Sequence, residues 1–149
     1  MKKADGITII ALTIIVIVMT IVIVASLKYV KQYMEQQRIE DIKSSMLAIQ
    51  SVITNIKNKN TVDKENNSLV GTKLDLENNE TEYQITEKLK NELSTEESTE
   101  LYILNKEELN NLGVKNVEIN NTEFYIVDYN SEEIYYSLGI NGKYKLSDM

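Results

Sequence analysis

The chain of 149 residues contains no cysteine, histidine, tryptophan or proline, and only five glycines. Without cysteine it has no disulfide framework, no thiolate nucleophile and no cysteine-bound zinc. Without histidine it also lacks the commonest general base and metal ligand. Any catalytic site would have to use Asp, Glu, Ser, Thr, Lys or Tyr side chains. No set of these residues predicts a catalytic function, a metal site or a cofactor.

Charge is distributed unevenly along the chain, whose net charge is −7. Residues 1–57 carry seven Lys or Arg against four Asp or Glu, a net +3, whereas residues 58–149 carry nine against 19, a net −10. A strongly acidic surface repels the phosphates of DNA and RNA. We therefore expect no direct binding of nucleic acid.

Residues 7–27 form an apolar segment of 21 residues without a charged side chain, ITIIALTIIVIVMTIVIVASL. As a helix this segment is about 31 Å long, which matches the roughly 30 Å hydrocarbon core of a bilayer. A cleaved secretory signal is the alternative, with Lys2 and Lys3 as its basic end and a cut near Ser26. The apolar run is longer than the roughly 7–15 residues of such a signal. We therefore predict a single-pass helix in the cytoplasmic membrane, with the amino terminus inside and the rest of the chain extracytoplasmic.

Residues 28–57 contain no glycine or proline and predict an amphipathic helix that continues the membrane helix. Its apolar side chains recur at steps of three and four residues. This packing stripe consists of Ile39, Ile42, Met46, Ile49, Ile53 and Ile56. The stripe is typical either of a short coiled coil or of a helix packed on its own distal domain. We favour the second interpretation because the distal part needs a partner for its core.

The distal part predicts a linker over residues 58–68 and a small α+β domain over residues 69–149. Helices are expected over 81–93, with Ile85, Leu89 and Leu93 on one face, and over 105–113, with Asn105 as N-cap, Glu108 in the first turn and Gly113 as the stop. Strands are expected at 101–104, 117–119, 124–129, 134–138 and 144–146, with turns at 130–132 and 139–142 and either a strand or an ordered loop at 69–76. The fold class is α+β: a long N-terminal helix packed on a small antiparallel sheet.

Two groups of distal side chains could have either a structural or a functional role. The first group is the tyrosines of the predicted sheet, Tyr125, Tyr129, Tyr135, Tyr136 and Tyr144. They are either core residues or an exposed stripe that binds a protein or glycan, and their alternation along the strands favours the core. Three acid pairs have no accompanying metal or phosphate loop, so we interpret them as solvated surface; they are Glu96-Glu97, Glu107-Glu108 and Glu132-Glu133.

The start of the chain, Lys2-Lys3-Ala4-Asp5-Gly6 followed by Ile7 and an unbroken apolar helix, resembles type IV pilin-like proteins and type II secretion pseudopilins. The tail, from Tyr125-Ile126-Val127-Asp128-Tyr129 to Gly142-Lys143-Tyr144-Lys145-Leu146-Ser147-Asp148, looks like the pilin-like proteins of low-GC Gram-positive bacteria. The resemblance implies a lollipop-shaped fold and a short basic leader, residues 1–6. A prepilin peptidase would cut after Gly6, and Ile7 would become the methylated first residue. It also implies that the helix binds membrane lipid first and the helices of other pilin-like subunits later.

The sequence departs from the family pattern at two positions. Ala11 stands where the family usually has a glutamate at the fifth mature position, whose carboxylate meets the terminal amine of a neighbouring subunit. Ile7 stands where the family often has an aromatic residue. Because a buried ammonium group needs a paired charge, the loss at Ala11 favours a minor or accessory subunit over a major one.

The function that this resemblance implies is structural. We expect a minor pilin or pseudopilin of a type IV pilus or a type II secretion-like filament, with a cell-surface filament as its further expected location. The alternative is a membrane-anchored extracytoplasmic domain that never polymerises and binds a protein or a glycan. A secreted hydrolase that uses paired carboxylates is the weakest of the three.

Overall fold

A computed structural model describes residues 2–62, 69–76, 83–95, 100–115, 117 and 119–149, with side chains from residue 8 onward except that of Val62. The elements in chain order are α1 (Lys2–Val62), β1 (Thr72–Lys73), α2 (Glu87–Thr95), β2 (Leu101–Leu104), α3 (Lys106–Asn111), β3 (Tyr125–Asp128), β4 (Glu133–Ile140), β5 (Lys143–Lys145) and a 3-10 turn, Leu146–Asp148. The chain divides into two compact units, an N-terminal unit, Met1–Arg38, and a C-terminal unit, Ile39–Met149.

The five strands of the C-terminal unit form one antiparallel sheet in the order β1-β2-β3-β4-β5. Each strand pairs with the next one along the chain, so the sheet is a meander with no crossover. The register places Leu101 opposite Asp128 and Tyr125 opposite Tyr136. The predicted α+β class, with a long N-terminal helix on a small antiparallel sheet, is confirmed.

The two faces of the sheet are covered by different helices. Because side chains alternate along a strand, Tyr125 and Val127 lie in the cluster that contains the buried part of α1, whereas Ile126 lies in the cluster that contains Leu89 and Leu93 of α2. The sheet is thus the middle of three layers. The sequence predicted the α1 layer, but it did not predict that α2 covers the opposite face.

The packing stripe of α1 faces the sheet. Met46, Ile49 and Ile53 are completely buried, Ile42 is nearly so, and Ile39 and Ile56 are half-buried at its two ends. All six belong to, or pack against, the cluster that includes β3 and β4 side chains. This helix therefore supplies one wall of the domain core.

Helix α1 differs in extent from the predicted one. It continues to Val62, so residues 58–62 of the expected linker are helical, and residues 63–68 lie outside the described range. No glycine or proline interrupts this stretch, and the Thr61 hydroxyl donates to the carbonyl oxygen of Lys57 at 2.8 Å. The C-terminal unit also begins within this helix, at Ile39, because the packing stripe belongs to the core of the sheet domain.

Three of the predicted distal elements need correction. Helix α2 begins at Glu87 rather than at residue 81; Thr86 precedes it, and its hydroxyl accepts a long hydrogen bond, 3.4 Å, from the Leu89 amide. Val117 and Ile119 are not in a strand. Ile119 is nonetheless buried, so its apolar character reflects core packing and not strand pairing.

The third correction concerns the predicted turn over residues 139–142. Strand β4 runs through Gly139 to Ile140, and the turn is confined to Asn141 and Gly142. Both turn residues have positive φ, 52° and 78°, as a two-residue hairpin loop of the Asn-Gly type requires. Gly139 also has positive φ, 68°, and lies where the register between β4 and β5 shifts. A bulge in the strand was thus mistaken for part of a turn.

Helix α3 has the predicted caps. The Asn105 side chain accepts hydrogen bonds from the amides of Glu107 and Glu108 at 2.9 and 3.0 Å. The Glu108 carboxylate in turn accepts one from the Asn105 amide at 2.7 Å, which completes a capping box. The helix ends at Asn111, and Gly113 follows with φ of 76°. The predicted N-cap and stop are confirmed.

The distal tyrosines are core residues. All five are buried, with 0–7% of their surface exposed; they are Tyr125, Tyr129, Tyr135, Tyr136 and Tyr144. Tyr125 and Tyr136 face each other across β3 and β4 with ring centroids 5.4 Å apart. The preference for core packing over an exposed aromatic stripe is confirmed.

Candidate functional site: the exposed apolar helix

The N-terminal unit exposes apolar side chains around the whole circumference of α1. Each large hydrophobic residue from Ile9 to Leu27 has between 53% and 66% of its surface exposed. A contiguous apolar surface of this kind is rare on a soluble monomer and marks contact with lipid or with another protein. Among the described residues, one helix is long and apolar enough to cross a membrane, and this segment lies in it.

Three hydroxyl groups of the apolar segment are satisfied inside the helix. Thr13, Thr20 and Ser26 donate to the carbonyl oxygens of the residues four positions earlier, at 2.9, 2.8 and 2.8 Å. A polar group in hydrocarbon costs free energy when it has no hydrogen-bond partner. Because these three need no partner from outside the helix, the segment is suited to an environment that offers none.

The positions singled out by the family resemblance all lie on α1. Gly6 and Ile7 are helical, as are residues 2–5. Ala11 is exposed and lies among aliphatic side chains. Between Gly6 and Leu27 there is no carboxylate, so nothing in this stretch replaces the family glutamate.

A second set of side chains, all polar, connects α1 to the turn between β3 and β4. The Gln50 amide donates to the carbonyl oxygen of Glu132 at 3.0 Å. The Thr54 hydroxyl donates to Glu132 Oε2 at 2.6 Å. The Lys57 ammonium lies 2.8 Å from Glu132 Oε1 and donates to the carbonyl oxygen of Asn130 at 2.9 Å. Three residues about one helical turn apart therefore hold one loop.

The electrostatics of this contact favour an ionised Glu132. Hydrogen bonds from Lys57 and then Thr54 lower the pKa of the Glu132 carboxyl below its usual value of 4.5. Glu132 also has φ of 60°, in the left-handed region that non-glycine residues rarely occupy. The contacts from α1 hold the residue in this conformation. The sequence analysis missed this set, although Gln50, Thr54 and Lys57 follow one another at helical spacing along one edge of the packing stripe.

A groove of about 910 Å³ in the C-terminal unit is bounded by the segment before α2, the start of α3 and the loop before β3. Its polar groups are largely used by the protein itself. The Asn105 amide donates to the Tyr83 hydroxyl at 3.0 Å, and the Asn120 amide donates to Glu123 Oε1 at 3.0 Å. The Tyr83 ring packs on Phe124 with centroids 5.1 Å apart. These contacts hold the walls of the groove in place.

The acid pairs have structural contacts where they are described. Glu108 closes the capping box of α3, Glu132 binds Lys57 and Thr54, and Glu133 Oε1 accepts from the Ser147 amide at 3.0 Å. Glu96 and Glu97 lie outside the described residues. Within the part of the chain that the structure describes, no group of three or more Asp or Glu side chains is placed to hold a metal ion.

Fold and surface together define an α+β domain preceded by a helix that is apolar enough for a membrane. No family model, curated protein or solved structure matches the chain.

Proposed function

We propose that the chain is a structural pilin-like subunit, a minor pilin or pseudopilin of a type IV pilus or a type II secretion-like filament. Its N-terminal helix anchors it in the cytoplasmic membrane as a single pass, with the C-terminal unit on the extracytoplasmic side. Prepilin peptidase and the helices of other pilin-like subunits are its partners. The observation that carries this proposal is the apolar surface of residues 8–27, which is exposed on every side of the helix.

The distribution of exposed apolar surface supports a helix-mediated assembly. The described part of the C-terminal unit has two exposed large hydrophobic residues, Leu47 and Leu138. Its packing stripe is occupied by its own sheet, so this face is not available for a coiled coil with another chain. The apolar segment, in contrast, has no partner within its own unit, and only lipid or other apolar helices can cover it.

Ala11 favours an accessory position over a major one. A methylated amine at Ile7, once buried among apolar helices, needs a carboxylate nearby. In a filament of identical subunits every neighbour would lack that carboxylate. A minor subunit packs instead against different subunits that can supply it, which is why we assign this role.

The test is intact-mass and terminal-peptide spectrometry of the protein extracted from host membranes. We expect a terminus at N-methylated Ile7, loss of processing in Gly6→Val, and normal processing in Ala4→Ser as a matched leader variant. An intact Met1 in the wild type contradicts the proposal. A terminus near Ser26 contradicts it as well and identifies a soluble exported domain.

The second candidate is a membrane-anchored binding domain that does not polymerise. The groove beside Tyr83 and Phe124 and the missing carboxylate at Ala11 favour it. An uncleaved Met1, together with a protein that fractionates with membranes and never with sheared filaments, would support this candidate.

A further inference from the structure

The apolar segment ends in a short collar of basic and aromatic residues. Lys28, Tyr29, Lys31 and Tyr33 follow Leu27 within one and a half turns of α1. All four are exposed, Tyr29 by 74% and Tyr33 by 60%. Among the described residues, Lys28, Tyr29 and Lys31 have no hydrogen-bond or ion-pair partner, while the Tyr33 hydroxyl accepts from the Gln37 amide at 2.9 Å.

The collar carries charge of one sign. From residue 6 to residue 34 the only charged side chains are Lys28 and Lys31, and the next acid is Glu35. At 100° per residue, Lys28 and Lys31 lie on one side of the helix, and Tyr29 and Tyr33 lie on the largely opposite side. Lysine side chains extend from an apolar surface towards water, and tyrosines favour the headgroup layer.

A recess on the helix surface adjoins the collar. It is shallow and open to its surroundings, and its lining includes Ile21, Val24 and Ala25 with Lys28 and Tyr29 at one end. The small side chain of Ala25 leaves room between its larger neighbours. The surface therefore combines an apolar floor, long enough for part of an acyl chain, with an ammonium group at the level of a phosphate.

We propose that this recess and collar bind an anionic glycerophospholipid, with an acyl chain against Ile21, Val24 and Ala25 and the headgroup phosphate against Lys28 and Lys31. The proposal rests on the proposed function only in that α1 spans the bilayer. A 21-residue apolar helix of about 31 Å then places residues 28–33 in the headgroup layer. The two lysines form no ion pair within the described residues, so they select negative lipids over zwitterionic ones.

The experiment uses the full chain in nanodiscs of equimolar phosphatidylglycerol and phosphatidylcholine, followed by native mass spectrometry of the lipids that the released protein retains. We expect the ratio of phosphatidylglycerol to phosphatidylcholine among the retained lipids to exceed the bulk ratio about fivefold or more. Lys28→Gln/Lys31→Gln should reduce this enrichment towards the bulk ratio. Lys106→Gln/Lys115→Gln, which removes two exposed lysines from the C-terminal unit, should leave it unchanged.

Two results overturn the lipid site while leaving the anchor intact: wild-type protein that retains both lipids in the bulk ratio, and enrichment that survives Lys28→Gln/Lys31→Gln. Failure of the wild-type chain to enter nanodiscs overturns the membrane anchor itself, and the lipid site with it. The two failures are therefore distinguishable in one experiment.

Discussion

At the scale of single residues, Gly139 is constrained more tightly than the glycine of the neighbouring turn. A Cβ atom added at Gly139 would lie 2.9 Å from the carbonyl oxygen of Lys143 and 3.0 Å from the Tyr144 ring, whereas one added at Gly142 would meet nothing within 4 Å. Both residues have positive φ, so an alanine at either position incurs a similar backbone penalty of about 1–2 kcal/mol. Only Gly139 has the additional steric conflict.

We predict that Gly139→Ala lowers the free energy of unfolding by about 1–3 kcal/mol more than Gly142→Ala does. The measurement is urea unfolding of the detergent-solubilised full chain, followed by the fluorescence of its tyrosines. Equal losses in the two variants would show that the approach of β5 to the bulge is looser than described.

Glu132 gives a prediction about pH. Its lowered pKa means that ionisation stabilises the folded state above the usual pKa, and that this contribution disappears as the pH falls through the lowered folded-state value. Glu132→Gln should therefore cost about 0.5–1 kcal/mol at pH 7, a modest value because Lys57 and Glu132 are partly exposed. At a pH below the lowered folded-state value the variant and the wild type should converge.

The control for this prediction is Glu40→Gln, which replaces an exposed acid on α1. Urea titrations at the two pH values should show little difference between this variant and the wild type. If Glu132→Gln destabilises the protein equally at both pH values, the loss comes from packing or turn geometry and not from the charge.

At the scale of elements, the buried and exposed sides of α1 make different contributions to stability. Ile49 is completely buried against the sheet, whereas Leu47, two residues earlier, is 56% exposed. Ile49→Ala should lower the free energy of unfolding by about 2–5 kcal/mol. Leu47→Ala removes a side chain of similar size and should change it by less than about 0.5 kcal/mol. Chemical denaturation followed by circular dichroism measures both, and similar losses would contradict the orientation of α1.

The sequence predicted those elements whose signals were local and repeated. The packing stripe keeps its period over five turns of α1, and the capping residues Asn105 and Glu108 act within one turn. The elements that it missed depend on tertiary contacts. Ile119 is apolar because it is buried, not because it is in a strand, and α2 is positioned by the second face of the sheet.

The polar contacts between α1 and the turn at Glu132 also depend on tertiary structure, and the sequence did not predict them. A turn at 130–132 was predictable, and so was a helix that carries Gln50, Thr54 and Lys57. That the helix would hold this particular turn depends on the sheet register that brings Glu132 to α1, which no local pattern encodes. The sequence also predicted a turn at 139–142, and within that range Asn141-Gly142 is a strong indicator of the two-residue hairpin that the structure has.

At the scale of the whole molecule, the two units are suited to different solvents. The C-terminal unit buries an apolar core on both faces of its sheet, and the chain beyond residue 57 is strongly acidic. The N-terminal unit exposes apolar side chains on all sides and satisfies three of its hydroxyls internally. A chain built in this way needs a bilayer, other apolar helices, or both in succession.

The proposed function requires that the N-terminal helix packs against the apolar helices of other subunits. Photo-crosslinking in the native host tests this packing most directly. A benzophenone amino acid placed singly at each of residues 14–18 samples every side of the helix. The account predicts covalent adducts with other pilin-like subunits from at least one side, recovered in the sheared filament or assembly fraction. Protein adducts absent at all five positions, with the chain remaining in the membrane fraction, would contradict it.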